Sequence, residues 1–226
     1  MRKSFLLFAV VLLTFSCSSV VYYPVTANVP LFQEKDEVRL SLGIRGLGGD
    51  LHAACAIGQH LALMANANIV QFSSTEFETD YKNGQRYGDL AAGYFKPLGS
   101  SFVVESYAGA GAGSSYSENL NTGVLRTSDF YKAFLQVNAG FRWKYITLGV
   151  SARESFVHTA APRYDGIVSG QAESDLFFEP ALFLGIGPEK FRINAQAGLS
   201  YAHFVNISYS PFILSLGLET RFMGKK

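Results

Sequence analysis

Residues 175–205 read DLFFEPALFLGIGPEKFRINAQAGLSYAHFV, and the alternation within them decides the fold. Taken two at a time, Leu176, Phe178, Pro180, Leu182, Leu184 and Ile186 fall on one face. Asp175, Phe177, Glu179, Ala181, Phe183 and Gly185 fall on the other. After Gly187-Pro188-Glu189-Lys190, the residues Phe191, Ile193, Ala195, Ala197, Leu199 and Tyr201 oppose Arg192, Asn194, Gln196, Gly198, Ser200 and Ala202. A period of two held this long means two strands joined by a tight turn. Ordinary strands run about five or six residues. These run about eleven, the length with which a tilted strand crosses a bilayer. The hairpin is therefore read as one unit of an antiparallel up-and-down transmembrane β-barrel.

The same alternation recurs outward from this hairpin. It predicts strands over 37–45, 50–57, 61–72, 87–95, 102–115, 131–143, 146–153 and 212–222, about ten in all, an even number as single-chain barrels require. Polar stretches at 73–86, 116–129 and 156–174 read as long loops, and the connections after the second, fourth, sixth and eighth strands are short. Outer-membrane barrels have short periplasmic turns and longer outside loops, so both chain ends are expected on the periplasmic side.

A soluble exported barrel of lipocalin type also alternates, with its apolar face inward. Three features favour lipid outside. Lys132 is the only lysine inside a predicted strand, while Lys96, Lys144 and Lys190 stand at short turns. The polar face is rich in glycine (Gly109, Gly111, Gly113, Gly140, Gly149, Gly198, Gly217), which suits a tightly curved inner wall. Phe102, Tyr131, Phe141, Trp143, Phe191, Tyr201, Phe212 and Phe222 gather near strand ends on the apolar face, as interfacial girdles do.

The chain has 226 residues, 48% hydrophobic and 16% charged, with net charge +1, which fits one domain and gives no electrostatic case for nucleic acid. Arg2 and Lys3 precede an apolar run, Phe5 to Phe15, that is too short to span as a helix. Residues 1–16 read as an export signal. Residues 17–36 contain Pro24 and Pro30 and lack periodicity, and read as an extended tether between Cys17 and a barrel over 37–222, with 223–226 as a tail. Only Cys17 and Cys55 exist, and Cys55 falls on the apolar register as a small hydrophobe.

The signal ending at Cys17, Tyr23-Pro24, Asn28-Val29-Pro30-Leu31-Phe32, Glu34-Lys35-Asp36-Glu37 and Leu218-Glu219-Thr220-Arg221-Phe222 resemble small outer-membrane β-barrel proteins of Gram-negative bacteria with a lipoprotein-like signal. The resemblance implies acylation of Cys17, an outer-membrane location, outer-membrane lipid as surroundings and the barrel-assembly machinery as a partner during biogenesis. An ordinary cleaved signal, with Cys17 incidental, is the other reading. Phe222 resembles the terminal phenylalanine that the assembly machinery reads, but here Met223-Gly224-Lys225-Lys226 follow it.

The inward register carries Arg39, Glu105, Arg142, Arg153, Glu179, Arg192, Glu219 and Arg221. A barrel of about ten strands has little free bore, so these charges are expected to pair and fill the lumen. The alternative is a narrow, arginine-lined channel. A distant alternative is a lipid A-modifying hydrolase at the rim, with His158 near Ser155, Thr159, Asp165 and Asp175, although no diagnostic spacing supports it. Four scattered histidines and two cysteines predict neither metal nor cofactor, and Gly109-Ala110-Gly111-Ala112-Gly113 lies in a strand and is no phosphate cradle. The expected function is structural or surface-interacting, without catalysis; the surface ligand is not legible.

Overall fold

The structure is a computed structural model and describes residues 21–45, 48–76 and 78–223. The expected signal over 1–16, Cys17 and the tail 224–226 lie outside the described residues. The strands are β1 (Glu37–Arg45), β2 (Gly48–Ala56), β3 (Leu61–Glu76), β4 (Thr79–Leu98), β5 (Phe102–Asn119), β6 (Leu125–Arg142), β7 (Ile146–Thr159), β8 (Arg163–Tyr164), β9 (Ile167–Val168), β10 (Glu173–Ile186), β11 (Phe191–Leu199), β12 (Tyr201–Ala202) and β13 (Phe212–Met223). Ten of these close an antiparallel barrel, and β8, β9 and β12 are short additions at one rim. Each long strand pairs with the next in sequence, and β1 meets β13 from Glu37↔Met223 to Ile44↔Leu216, which leaves the sheet without an edge.

The wall is polar inside and apolar outside. Leu182 and Leu216 are 61% and 58% exposed, whereas Asn194 and Gln196 are 8% and 6% exposed. In β10 every residue of the register Asp175, Phe177, Glu179, Ala181, Phe183 and Gly185 is buried. This is the reverse of a soluble barrel, in which the apolar register would fill the centre.

One rim carries the connections 57–60, 99–101, 143–145 and 187–190, and the opposite rim carries those across 46–47, 77–78, 120–124, 160–172 and 200–211. We call these the short-turn rim and the hairpin rim. At the hairpin rim the structure differs from two of the expected loops. Residues 73–86 and 116–129 are mostly ladder: β3 and β4 pair as far as Glu76↔Thr79, and β5 and β6 as far as Glu118↔Leu125. Above the apolar band both faces of a strand meet polar surroundings. The alternation that marks a strand in sequence then vanishes although the backbone bonds continue. As a result β3 to β6 run 16, 20, 18 and 18 residues, while β1, β2, β11 and β13 run 9, 9, 9 and 12. One side of the barrel stands tall and the other low.

The largest difference concerns the expected tether. Residues 22–32 run through the lumen, turning at Leu31, and every one of them is buried. At one end the amides of Val21 and Tyr22 donate to the Ser208 carbonyl, 2.9 and 3.0 Å, in the connection leading to β13 at the hairpin rim. At the other end Gln33 Nε2 donates to the Ser100 carbonyl, 3.3 Å, and Asp36 N to the Ala56 carbonyl, 2.9 Å, at the short-turn rim. Val21 and Met223 therefore stand at opposite rims. The physical reason is composition. Val21, Tyr22, Tyr23, Val25, Val29, Leu31 and Phe32 bring apolar surface and no charge, unlike a solvated linker.

Candidate functional site

The lumen is where the chain concentrates its chemistry, and it is filled by the chain itself. An extended segment with no strand beside it has unpaired amides and carbonyls, which are costly when buried. Two glutamines on the wall take the place of a ladder. Gln85 Oε1 accepts from Tyr23 N, 2.9 Å, and Gln85 Nε2 donates to Tyr23 O, 2.8 Å. Gln196 does the same for Ala27, at 2.8 and 3.0 Å. Gln136 Nε2 donates to the Asn28 carbonyl, 2.7 Å, and Arg142 to the Leu31 carbonyl, 3.4 Å. The Arg45 and Arg153 guanidinium groups donate to the Pro24 and Val25 carbonyls. Pro24 and Pro30 lack an N–H, so each removes a donor that would need a partner in the lumen.

The wall is also shaped to the segment. A Cβ on Gly140 would come within 2.6 Å of Leu31 Cδ1, and one on Gly149 would meet Leu31 and Val29 at 3.4 and 3.6 Å. Those two glycines face each other across β6 and β7 and leave room for Val29 and Leu31. The β5 glycines serve the wall instead, since Phe134 and Phe130 lie over Gly109 and Gly113. Leu31 has φ 50, a conformation uncommon for a bulky residue, and the turn there brings the Phe32 amide to Glu105 Oε1 at 2.8 Å.

Each of the eight lumen charges named from sequence is buried. Near the short-turn rim, Glu37 Oε1 receives Arg39 Nε at 2.8 Å, Arg142 at 2.7 Å and Arg221 Nε at 2.9 Å, and Arg39 also reaches Glu219 at 2.7 Å. Toward the hairpin rim, Glu179 gathers Arg153 at 2.6 Å, Lys132 at 3.3 Å, Ser155 at 2.9 Å and the Tyr22 phenol at 3.1 Å. Arg192 has another role: it donates to Thr147 Oγ1 and, at 2.7 Å, to the Trp143 carbonyl, closing the β6–β7 turn from inside. Between the clusters runs an amide chain. His52 lies between Thr26 Oγ1 at 2.9 Å and Asn66 Oδ1 at 2.8 Å, and Asn66 donates to Asp89 at 2.6 Å.

Several of these partners were not singled out from sequence. Glu37 was read as a strand start and as the end of the Glu34-Lys35-Asp36-Glu37 run, not as a lumen charge. Gln85 was read as loop, although it continues the inward register of Tyr87 and Asp89. Tyr22, packed against Phe130 and Phe177 with ring centroids 5.8 and 4.9 Å away, was assigned to the tether. Its signal was apolar content in a stretch expected to be an extended tether.

The rim residues weighed for hydrolysis do not assemble. His158 faces outward with its Nδ1 2.8 Å from Ser174 Oγ. Ser155, Thr159 and Asp175 lie on the inward register of their strands and are buried. Asp165 sits in the β8–β9 turn, where its carboxylate accepts the Leu125 amide at 2.9 Å. His203, paired with Glu154 at 3.0 Å, is a second histidine at that rim. Among the described residues no group of three or more His, Cys, Asp and Glu is placed to hold a metal.

Beside residues 26–29, bounded by Ser41, Asn194 and Gln196, lies a cavity of about 30 Å³. No protein-family model matches the chain, and no curated protein is significantly similar to it.

Proposed function

We propose that this protein is an exported outer-membrane β-barrel, acylated at Cys17, whose role is structural and surface-interacting and not catalytic. The observation that carries this reading is the inverted wall: leucine, isoleucine and valine face outward along the strands while charges and amides are buried and paired. In water such a wall would expose apolar surface far beyond what monomeric soluble proteins show; in a bilayer it faces acyl chains. Lipid is then the permanent partner of the outer face, and the assembly machinery the partner during insertion. The tall hairpins β3–β4 and β5–β6, with exposed Leu120, Val124 and Leu125 at one tip, are the surface from which a contact with another molecule would be made.

A conduit is the less favoured reading. Residues 22–32 occupy the bore, and hydrogen bonds to their backbone come from several wall strands. The test is conductance. Wild-type protein reconstituted in planar bilayers is expected to be silent, and a variant lacking residues 22–32 to show steady openings of a narrow, arginine-lined pore. Steady conductance from the wild type would overturn the non-conducting reading. Failure of the protein to fractionate with outer membranes would overturn the location.

A further inference from the structure

Val21 leaves the lumen at the rim opposite Met223, and this fixes where a group attached just ahead of it can go. Cys17 is four residues before Val21, so even a fully extended chain carries it no more than about 14 Å. The apolar band of an outer-membrane barrel is about 25 Å tall. Cys17 therefore cannot return to the short-turn rim.

The exit lies between the β12–β13 connection and the side of the rim built by residues 126–173. Val21 is held by Ser208, in the connection between β12 and β13, and lines a cavity of about 460 Å³ with Thr159, Pro162 and Gly170 at the hairpin rim. The loop that holds Val21 also carries Phe204 and Val205, 67% and 72% exposed, whereas Arg126, Gln171 and Glu173 line the cavity itself. Asp175 holds that loop by accepting the amides of Phe204 at 3.0 Å and Asn206 at 2.7 Å, and Val205 between them has φ 58. A β-branched residue keeps that conformation only where its surroundings impose it. The loop thus presents an aromatic and an aliphatic side chain outward at the hairpin rim.

We propose that the lipid on Cys17 enters the leaflet at the hairpin rim, the outer leaflet in the orientation argued above, so that the barrel is threaded by its own N-terminus and anchored at the end opposite its C-terminus. The proposal rests on acylation of Cys17. In that step the Cys17 Sγ forms a thioether to the diacylglyceryl carbon of a donor phospholipid. The bond from that carbon to the phosphate oxygen breaks, and the thiol proton leaves with the phosphate. Because lipid sits at one end of the segment and β1 at the other, the β1–β13 seam must close around a segment already in place.

The test uses the full chain in intact cells, with Cys55→Ser as background and a membrane-impermeant maleimide as probe. Thr122→Cys in the β5–β6 turn marks the hairpin rim, and Ser100→Cys in the β4–β5 turn marks the short-turn rim. The Ser19→Cys variant is expected to label in intact cells as Thr122→Cys does, with Ser100→Cys labelling only after lysis. Mass spectrometry of the N-terminal peptide is expected to show the diacylglyceryl group. A lipidated peptide with Ser19→Cys labelling alongside Ser100→Cys would overturn the threaded anchor while leaving acylation intact. An unlipidated peptide would overturn the acylation on which the proposal rests, and Ser19→Cys would still report which rim the N-terminus leaves by.

Discussion

The two ends of the lumen use the same residue types for different purposes. At the short-turn rim, Glu37 joins guanidinium groups from β1, β6 and β13, so the charges brace mainly wall to wall, with Arg142 and Glu105 also touching the segment at the Leu31 carbonyl and the Phe32 amide. Toward the hairpin rim, Glu179 and Lys132 close on the Tyr22 phenol and Arg153 reaches the Val25 carbonyl, so the charges brace wall to segment. Phe130, Phe177 and Tyr87 complete an aromatic nest there. The difference shows that burying charge in a narrow barrel can serve two ends: holding the cylinder in shape, and holding what fills it.

The comparison can be broken most directly at Glu37. Glu37→Gln removes the shared carboxylate from three buried arginines, and breaking a buried ion pair costs about 3–5 kcal/mol. The urea midpoint of the barrel in detergent should fall sharply, with no conductance before unfolding. Tyr22→Ala should do the opposite. It removes a buried aromatic from the segment, at about 3 kcal/mol, and the expected result is a folded barrel whose bilayer recordings begin to flicker. If Glu37→Gln leaks and Tyr22→Ala only unfolds, the two ends have been assigned the wrong way round. Gln196→Ala sharpens the same contrast at the middle of the segment. It leaves the Ala27 amide and carbonyl unpaired, at about 1–3 kcal/mol for each group, and should be read as faster exchange of the Ala27 amide hydrogen. His158→Ala should change stability by less than about 0.5 kcal/mol and leave lipid A mass spectra unchanged. Altered spectra would restore the rim hydrolase and make the hairpin rim, not the lumen, the place to look for chemistry.

Much of this was legible in the order of residues. The register of 175–205 placed Glu179, Arg192, Asn194 and Gln196 on one face before any coordinates. That alternation is a local property, fixed by the pleat of a strand. What the sequence could not express was the partner of each inward group. Gln85 and Gln196 read as ordinary inward amides, and nothing local says that one binds Tyr23 and the other Ala27, 62 and 169 positions away. The hairpin extensions were hidden for a related reason, because above the band a strand no longer has two different faces to advertise.

The amino-acid sequence by itself determined the strands and which side of each turns inward, because side-chain direction alternates with the backbone whatever the rest of the chain does. It also determined that the interior must be crowded with charge. Only the tertiary structure decided that residues 22–32 lie in the bore and that Val21 leaves at the far rim. An extended segment without periodicity has no inside or outside of its own; it acquires one only when a closed cylinder offers it paired amides, two facing glycines and an aromatic nest.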